Sequence, residues 1–249
     1  MTRRKLVSSG VAAFSGVAGL TVAGRLAKQY GLVPPDGGGI YGPGHRLTYG
    51  VQKLLTGNAL AREFPRSAIS DRPFANGRPP KDENYLRMKE AGFVDWRLKV
   101  DGMVERPSSF SVAELKSFVP RTQITHLACE EGWSFIAEWM GVPLSAVLER
   151  VGVRRGAKYV MYFSIQPEWW DSVDIDEAVH PQTLVTYGMN GGELPVGHGG
   201  PVRMRVPRQL GYKSVKFVNR LTVTDSVKGF GKGMGSVAAE YGYSWYNGI

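Results

Sequence analysis

The sequence predicts an α+β domain built mainly from antiparallel or mixed sheet, with short helices. Three observations predict it. Stretches with period-two alternation outnumber stretches with helical signals, and the helical ones are short. Thirty-two Gly and fifteen Pro in 249 residues are too many breakers for a bundle of long helices and too aperiodic for collagen. A content of 43% hydrophobic and 11% aromatic residues excludes a disordered chain and supports one large domain or two small ones.

The elements follow in chain order. Trp96 to Val104 alternates, with Val94, Trp96, Leu98 and Val100 on one side, and stops before Pro107. Ser111-Val112-Ala113-Glu114 is a capping box that opens a short helix through Phe118. Gln123 to Cys129 is a strand, and Trp133 to Trp139 reads as a short helix, so Cys129 is expected where a strand meets a helix. Pro143 opens a further helix through Val151. Tyr159 to Phe163, Thr183 to Tyr187, Val202 to Val206 and Val215 to Val223 are further strands, with Asn190-Gly191 a turn between two of them.

Ahead of these elements the chain has another character. Residues 1–28 carry Arg3-Arg4-Lys5 before Ser8 to Gly24, an uncharged run of small and apolar residues. Charge followed by apolar residues is the layout of an export signal, and adjacent arginines make it a twin-arginine candidate, cleaved or kept as a membrane anchor. Residues 29–63, with Pro34-Pro35-Asp36-Gly37-Gly38-Gly39, read as a linker and N-terminal extension, and residues 64–249 as the domain. No later apolar run approaches the length of a membrane span.

The formal charge of +9 raises the question of nucleic acid. Five of the basic residues and no acidic one fall in residues 1–28, leaving 26 basic against 22 acidic residues, or +4, in the rest. A nucleic-acid partner is therefore not expected. Cys129 is the single cysteine, which forbids an intrachain disulfide, a Cys-x-x-Cys redox pair and a multi-cysteine metal site.

A lone cysteine is compatible with a buried small hydrophobe as well as with chemistry. Here Glu130, Glu131 and Gly132 follow it at a strand end. Two adjacent carboxylates raise a thiol pKa and disfavour a free nucleophile, which makes a thiol hydrolase the weaker expectation. A metal deprotonates a thiol outright, so these surroundings suit a metal ligand better. His126 lies three residues earlier, on the opposite side of an alternating strand, and is expected to be structural.

His198-Gly199-Gly200-Pro201-Val202-Arg203 sets an imidazole and a guanidinium beside glycines, an arrangement suited either to an anion or to a turn with a surface ion pair. Leu210 to Lys216 adds backbone amides, the Ser214 hydroxyl and the ammonium groups of Lys213 and Lys216. Together the two segments read as a cradle for an anionic cofactor. Gly229 to Gly235 lacks the Gly-Lys-Ser/Thr ending of a nucleotide loop and reads as a mobile surface loop. Trp169-Trp170-Asp171 lines a substrate entrance or fills a core.

The run Thr125 to Ser134 with Trp139 to Leu144, then His198 to Arg203 and Gly211 to Lys216, resembles the sulfite oxidase superfamily of molybdopterin-dependent oxidoreductases. The likeness extends from about Phe64 to Asp225 and is closest to the bacterial branch containing the periplasmic methionine sulfoxide reductase catalytic subunit. It implies a sulfite oxidase-type fold with a molybdenum-molybdopterin cofactor, whose metal takes its protein ligand from Cys129. His198, Arg203, Ser214, Val215 and Lys216 fall where the family holds the pterin and its phosphate, and Ser164 where the reductase branch has a threonine at the cofactor. Asn76 sits near a cofactor-binding asparagine, and Glu131 matches a glutamate beside the metal, where a proton donor or relay is expected.

Two departures shape the implied function. No arginine follows Cys129 as in sulfite oxidases, so sulfoxide reduction ranks ahead of sulfite oxidation. The chain ends at Ile249, so no C-terminal immunoglobulin-like dimerisation domain is expected and the protein is expected to be a monomer. The expectation is an exported periplasmic or cell-envelope enzyme that acts on a small-molecule or protein-bound sulfur oxide. Its electrons come from a separate partner such as a membrane haem protein or a quinone-linked protein. A metal-free exported binding protein is the rival.

Overall fold

The computed structural model describes residues 32–249, and the export-signal reading of residues 1–28 lies outside the described residues. The chain divides into two compact units at Gly57. In the first, helix α1 (Gly42–Thr56) occupies much of the segment expected as linker, with Pro43 in its first turn. His45 Nδ1 lies 2.9 Å from Asp36 Oδ2 within the same unit.

The second unit, Asn58–Ile249, holds two five-stranded sheets. Helix α2 (Glu83–Glu90) precedes them; Asp82 caps it by accepting from Tyr85 N–H. Strand β1 (Leu98–Gly102) buries Leu98 and Val100 and exposes Lys99, as its alternation predicts. It lies between β2 (Ser108–Phe110) and β10 (Val218–Thr224), and β10 continues to β5 (Tyr159–Ser164) and β6 (Trp170–Asp174). The pairing is antiparallel except for the parallel pair β1 and β10.

The second sheet runs β3 (Arg121–Ala128), β4 (Ser134–Pro143), β7 (Leu184–Met189) and β8 (Gly192–Glu193), with β9 (Arg203–Arg205) also paired to β7. Asn190 and Gly191 both have positive φ, the geometry of a two-residue hairpin turn, and join β7 to β8. The fold is therefore α+β with mixed and antiparallel sheet, as the alternation indicates.

The short helices match their local signals. The Ser111 capping box forms and opens α3 (Val112–Lys116). Pro143 caps α4 (Leu144–Val151), which buries Leu144, Val147, Leu148 and Val151 along one stripe. These residues join Trp96, Leu98, Val142, Tyr162 and Leu221 in the main core. Helix α5 (Ile175–Val179) follows β6, and α6 (Val237–Glu240) lies near the C-terminus. Fully burying each large apolar side chain contributes roughly 1.5–3 kcal/mol.

One expected element is corrected. Trp133 to Trp139 is not a helix but the start of β4, paired to β3 from Ala128↔Ser134 to Arg121↔Gly141. Phe135, Ala137 and Trp139 are buried at spacing two, which a strand places on one face and a helix scatters. Cys129 consequently sits in the turn of a β-hairpin rather than at a strand-to-helix junction.

Candidate cofactor and active site

A cavity of about 690 Å³ opens where connections from both sheets converge. The β3–β4 turn brings Cys129, Glu130 and Glu131; the β5–β6 connection brings Ser164, Trp169 and Trp170; the segment before β10 brings Ser214, Val215 and Lys216. Arg203 on β9 and Asn76, upstream of α2, complete the expected set. His198 and Lys213 are expected residues that do not reach the wall.

The hairpin turn is closed by hydrogen bonds from Cys129 N–H to Trp133 O (2.9 Å) and from Gly132 N–H to Cys129 O (3.1 Å). The Cys129 thiol donates to Glu130 Oε2 across 3.2 Å. Burial, reinforced by the Glu130 and Glu131 carboxylates, pushes that thiol up to about 12, although the Glu131 amide acts in the other direction. Glu131 Oε2 accepts from Trp133 Nε1 at 2.7 Å and from Asn76 Nδ2 at 2.9 Å. Asn76 therefore fixes a carboxylate on the same wall as the thiol.

The opposite charge lies deeper. Arg203 is 4% exposed and donates to His198 O at 2.9 Å and to Ser214 O at 2.7 Å. Burial alone draws its guanidinium down to about 9. Carbonyl oxygens satisfy its hydrogen bonds without neutralising its charge, and leaving a buried cation without an anion costs several kcal/mol. Lys216 Nζ donates to Gly197 O at 2.7 Å and to Asn76 O, and burial beside Arg203 lowers it to about 8. His198 stands behind Arg203, and its Nδ1 is buried without a partner among the described residues. Burial, then Arg203 and Lys216, hold this imidazole down to about 4.

The two halves of the cradle pack by close backbone approach. Gly199 has φ +107, and a Cβ there would stand 2.8 Å from Lys216 Cβ. Gly200 to Pro201 is a cis peptide bond. Lys213, by contrast, contributes no cation to the cavity. It is fully buried, with its Nζ 2.6 Å from Asp171 Oδ1, so the expected second ammonium is consumed by a structural ion pair. Sequence periodicity gives no signal for this pair, whose members are far apart in the chain.

Other expectations resolve as follows. His126 does not line the cavity. Trp169 and Trp170 line it, and Trp169 is half exposed. The glycine-rich stretch is tethered rather than free: Lys232 N–H donates to Glu240 Oε1, and a Cβ on Gly231 would meet Trp170 at 2.7 Å. The aromatic side of the cavity also includes Tyr241 and Tyr243 of the C-terminal segment, which the sequence reading missed because no motif marks them.

These features fit an anionic, thiolate-ligated cofactor. The wall offers one thiol, a buried guanidinium without a carboxylate among the described residues and a second, partly buried cation, and an unpartnered imidazole nitrogen lies behind them. Among the described residues no cluster of three or more His, Cys, Asp or Glu is placed to hold a metal.

Comparison with known proteins agrees. The family described as oxidoreductase molybdopterin binding domain matches residues 86–229. The chain is 35% identical over 195 residues to the putative protein-methionine-sulfoxide reductase subunit YedZ1 of Azospira oryzae, covering 78% of this chain and 70% of that protein. It is 39% identical over 138 residues to the protein-methionine-sulfoxide reductase catalytic subunit MsrP of Xanthomonas axonopodis pv. citri, covering 49% of this chain and 43% of that one. The match thus spans under half the length of the Xanthomonas relative. Among solved structures, the sulfane dehydrogenase SoxCD from Paracoccus pantotrophus superposes with a TM-score of 0.51 at 26% identity, covering 53% of this chain and 39% of that chain. The chain belongs to the oxidoreductase molybdopterin binding domain family, with the sulfite oxidase-type fold and a molybdopterin cofactor.

Proposed function

We propose that this chain is an exported molybdenum-molybdopterin oxidoreductase that reduces a sulfoxide or a similar oxide. The observation that carries the reading is the meeting of the Cys129 thiol and the carboxylate-free Arg203 guanidinium on one cavity wall. The bound cofactor supplies the two-electron redox change that accompanies transfer of an oxygen atom.

The residues of the chain take the remaining roles. Cys129 holds the metal as a thiolate, and Glu130 Oε2, already its hydrogen-bond acceptor, takes the displaced proton. Arg203, Lys216 and Ser214 hold the anionic end of the cofactor, Val215 and Ser164 line its seat, and His198 braces Arg203 through its carbonyl. Glu131, solvent-exposed and fixed by Asn76 and Trp133, relays a proton between solvent and the cavity. The half-exposed Trp169 provides an apolar mouth for the alkyl portion of a sulfoxide substrate, free or protein-bound.

The MsrP and YedZ1 relatives bear names of methionine sulfoxide reductases, which supports that direction. Export through the twin-arginine route to the periplasm, a monomeric state and a separate membrane electron donor belong to the same proposal. Sulfite oxidation is the second reading. It is disfavoured because Glu130 and Glu131 face the cavity where a dianion would need positive charge.

The test is molybdenum and pterin content of the chain purified from a host that makes molybdopterin, followed by turnover of a methionine sulfoxide peptide and of sulfite. About one metal per chain with sulfoxide reduction is the expected result. A folded, metal-free chain from a host that loads a control molybdoenzyme would promote the binding-protein rival; loaded protein that turns over only sulfite would reverse the direction.

A further inference from the structure

Strand β9 carries a second buried guanidinium that no motif singles out. Arg205 is fully shielded from solvent. Its Nη2 donates to Thr125 Oγ1 at 3.1 Å and to His126 O at 2.6 Å, and its Nη1 makes a long contact of 3.5 Å with Ser214 Oγ. Its Cζ lies 5.4 Å from the centroid of the Trp139 ring, against which the Arg203 Cζ also lies at 5.1 Å. Both cations face one indole and neither has a carboxylate partner among the described residues.

Such a residue is unfavourable as a fold element alone, since an apolar side chain of similar volume is often neutral or better in a core. Its contacts point to another role. Thr125 and His126 lie on β3, which reaches Cys129 within a few residues, so a shift of β3 is a shift of the thiol. Ser214 Oγ accepts from Val206 N–H at 3.1 Å and faces Arg205 Nη1. A hydroxyl has two lone pairs and one proton. With a donor at each lone pair, the Ser214 proton is left to be donated, and Ser214 lines the cavity.

We propose that Arg205 is a positioning residue that ties the strand leading to Cys129 to the segment carrying Ser214, and keeps the Ser214 hydroxyl a donor toward an anionic cofactor oxygen. This rests on the cofactor reading above. The role requires a fork: one planar guanidinium reaches β3 and Ser214 together, whereas a lysine ammonium is a compact point charge.

The experiment compares wild type, Arg205→Met, Arg205→Lys, Ser214→Ala and the Arg205→Met/Ser214→Ala double variant, all expressed with molybdopterin synthesis. Pterin and molybdenum per chain are measured through a dilution series, together with the electron paramagnetic resonance spectrum of the reduced metal and thermal melting of the cofactor-free protein. Arg205→Met is expected to melt at or above the wild-type temperature without cofactor, yet to retain it about tenfold less well. Arg205→Lys is expected to fold, to lose cofactor and to shift the spectrum, because Cys129 is displaced. The double variant is expected to retain no less than Arg205→Met alone.

Wild-type retention and spectrum in both Arg205 variants would overturn the proposal, as would full additivity of the two losses. If Arg205→Met fails to fold, wild-type loading of Arg205→Lys would overturn it and loss from a folded Arg205→Lys would support it. An unloaded wild type removes the cofactor reading and this proposal with it, whereas a loaded wild type with unaffected variants removes this proposal alone.

Discussion

Cys129 and Glu130, adjacent in sequence, form a thiol-to-carboxylate hydrogen bond of 3.2 Å in the turn of the β3–β4 hairpin. An acceptor carboxylate stabilises the protonated thiol, so the same contact that suits a ligand awaiting a metal disables a free nucleophile.

The cofactor-free protein should therefore alkylate slowly. With the Cys129 thiol raised from 9.0 to about 12, its thiolate fraction near neutrality falls by about a thousandfold. Iodoacetamide labelling of folded cofactor-free protein should lag far behind labelling in urea and should accelerate with rising pH. Glu130→Gln should label faster, because one of the carboxylates opposing the thiolate is gone. Fast labelling of the folded wild type at neutral pH would contradict the geometry.

Acid should weaken the cofactor-free fold through its buried histidines. His198 and His180 are each lowered to about 4, chiefly by burial, with Arg203 and Lys216 adding to the first and Arg208 to the second. Below about 6.5 the unfolded chain takes up protons that the folded chain refuses until about 4. Their contribution to stability is thus complete above 6.5 and declines as pH falls from 6.5 toward 4. Urea midpoints across that range should show the decline, and His198→Gln should make it shallower; a midpoint indifferent to pH there would count against buried neutral imidazoles.

Lys213 should prove structural. Lys213→Met leaves the Asp171 carboxyl buried with Ser236 Oγ at 2.7 Å but no cation, and should cost about 3–5 kcal/mol in chemical denaturation. Lys213→Met/Asp171→Asn should recover part of that loss. A Lys213→Met protein with wild-type stability that had lost only cofactor would return Lys213 to the cradle.

Much of the site was legible from short-range patterns. The Ser111 capping box, the Pro143 helix start and the Asn190-Gly191 turn depend on residues within a few positions, and each forms where its chemistry predicts. The Cys129 to Gly132 run and the His198 to Lys216 segments were visible as thiol and cation sources for the same reason. The strand at Ser134–Pro143 was misread because a short apolar run rich in aromatics satisfies either period until its partners are known.

Composition and local order thus determined the α+β class, the single thiol with its acidic neighbours, and the basic segment that could meet an anion. Only the tertiary structure decided which charges remain available. Lys213 and Asp171 neutralise each other, whereas Arg203 and Arg205 share Trp139 with no carboxylate partner among the described residues. A sequence records how many charges a chain carries, but burial and pairing depend on strands that meet across long separations, and those contacts set which cations await a ligand.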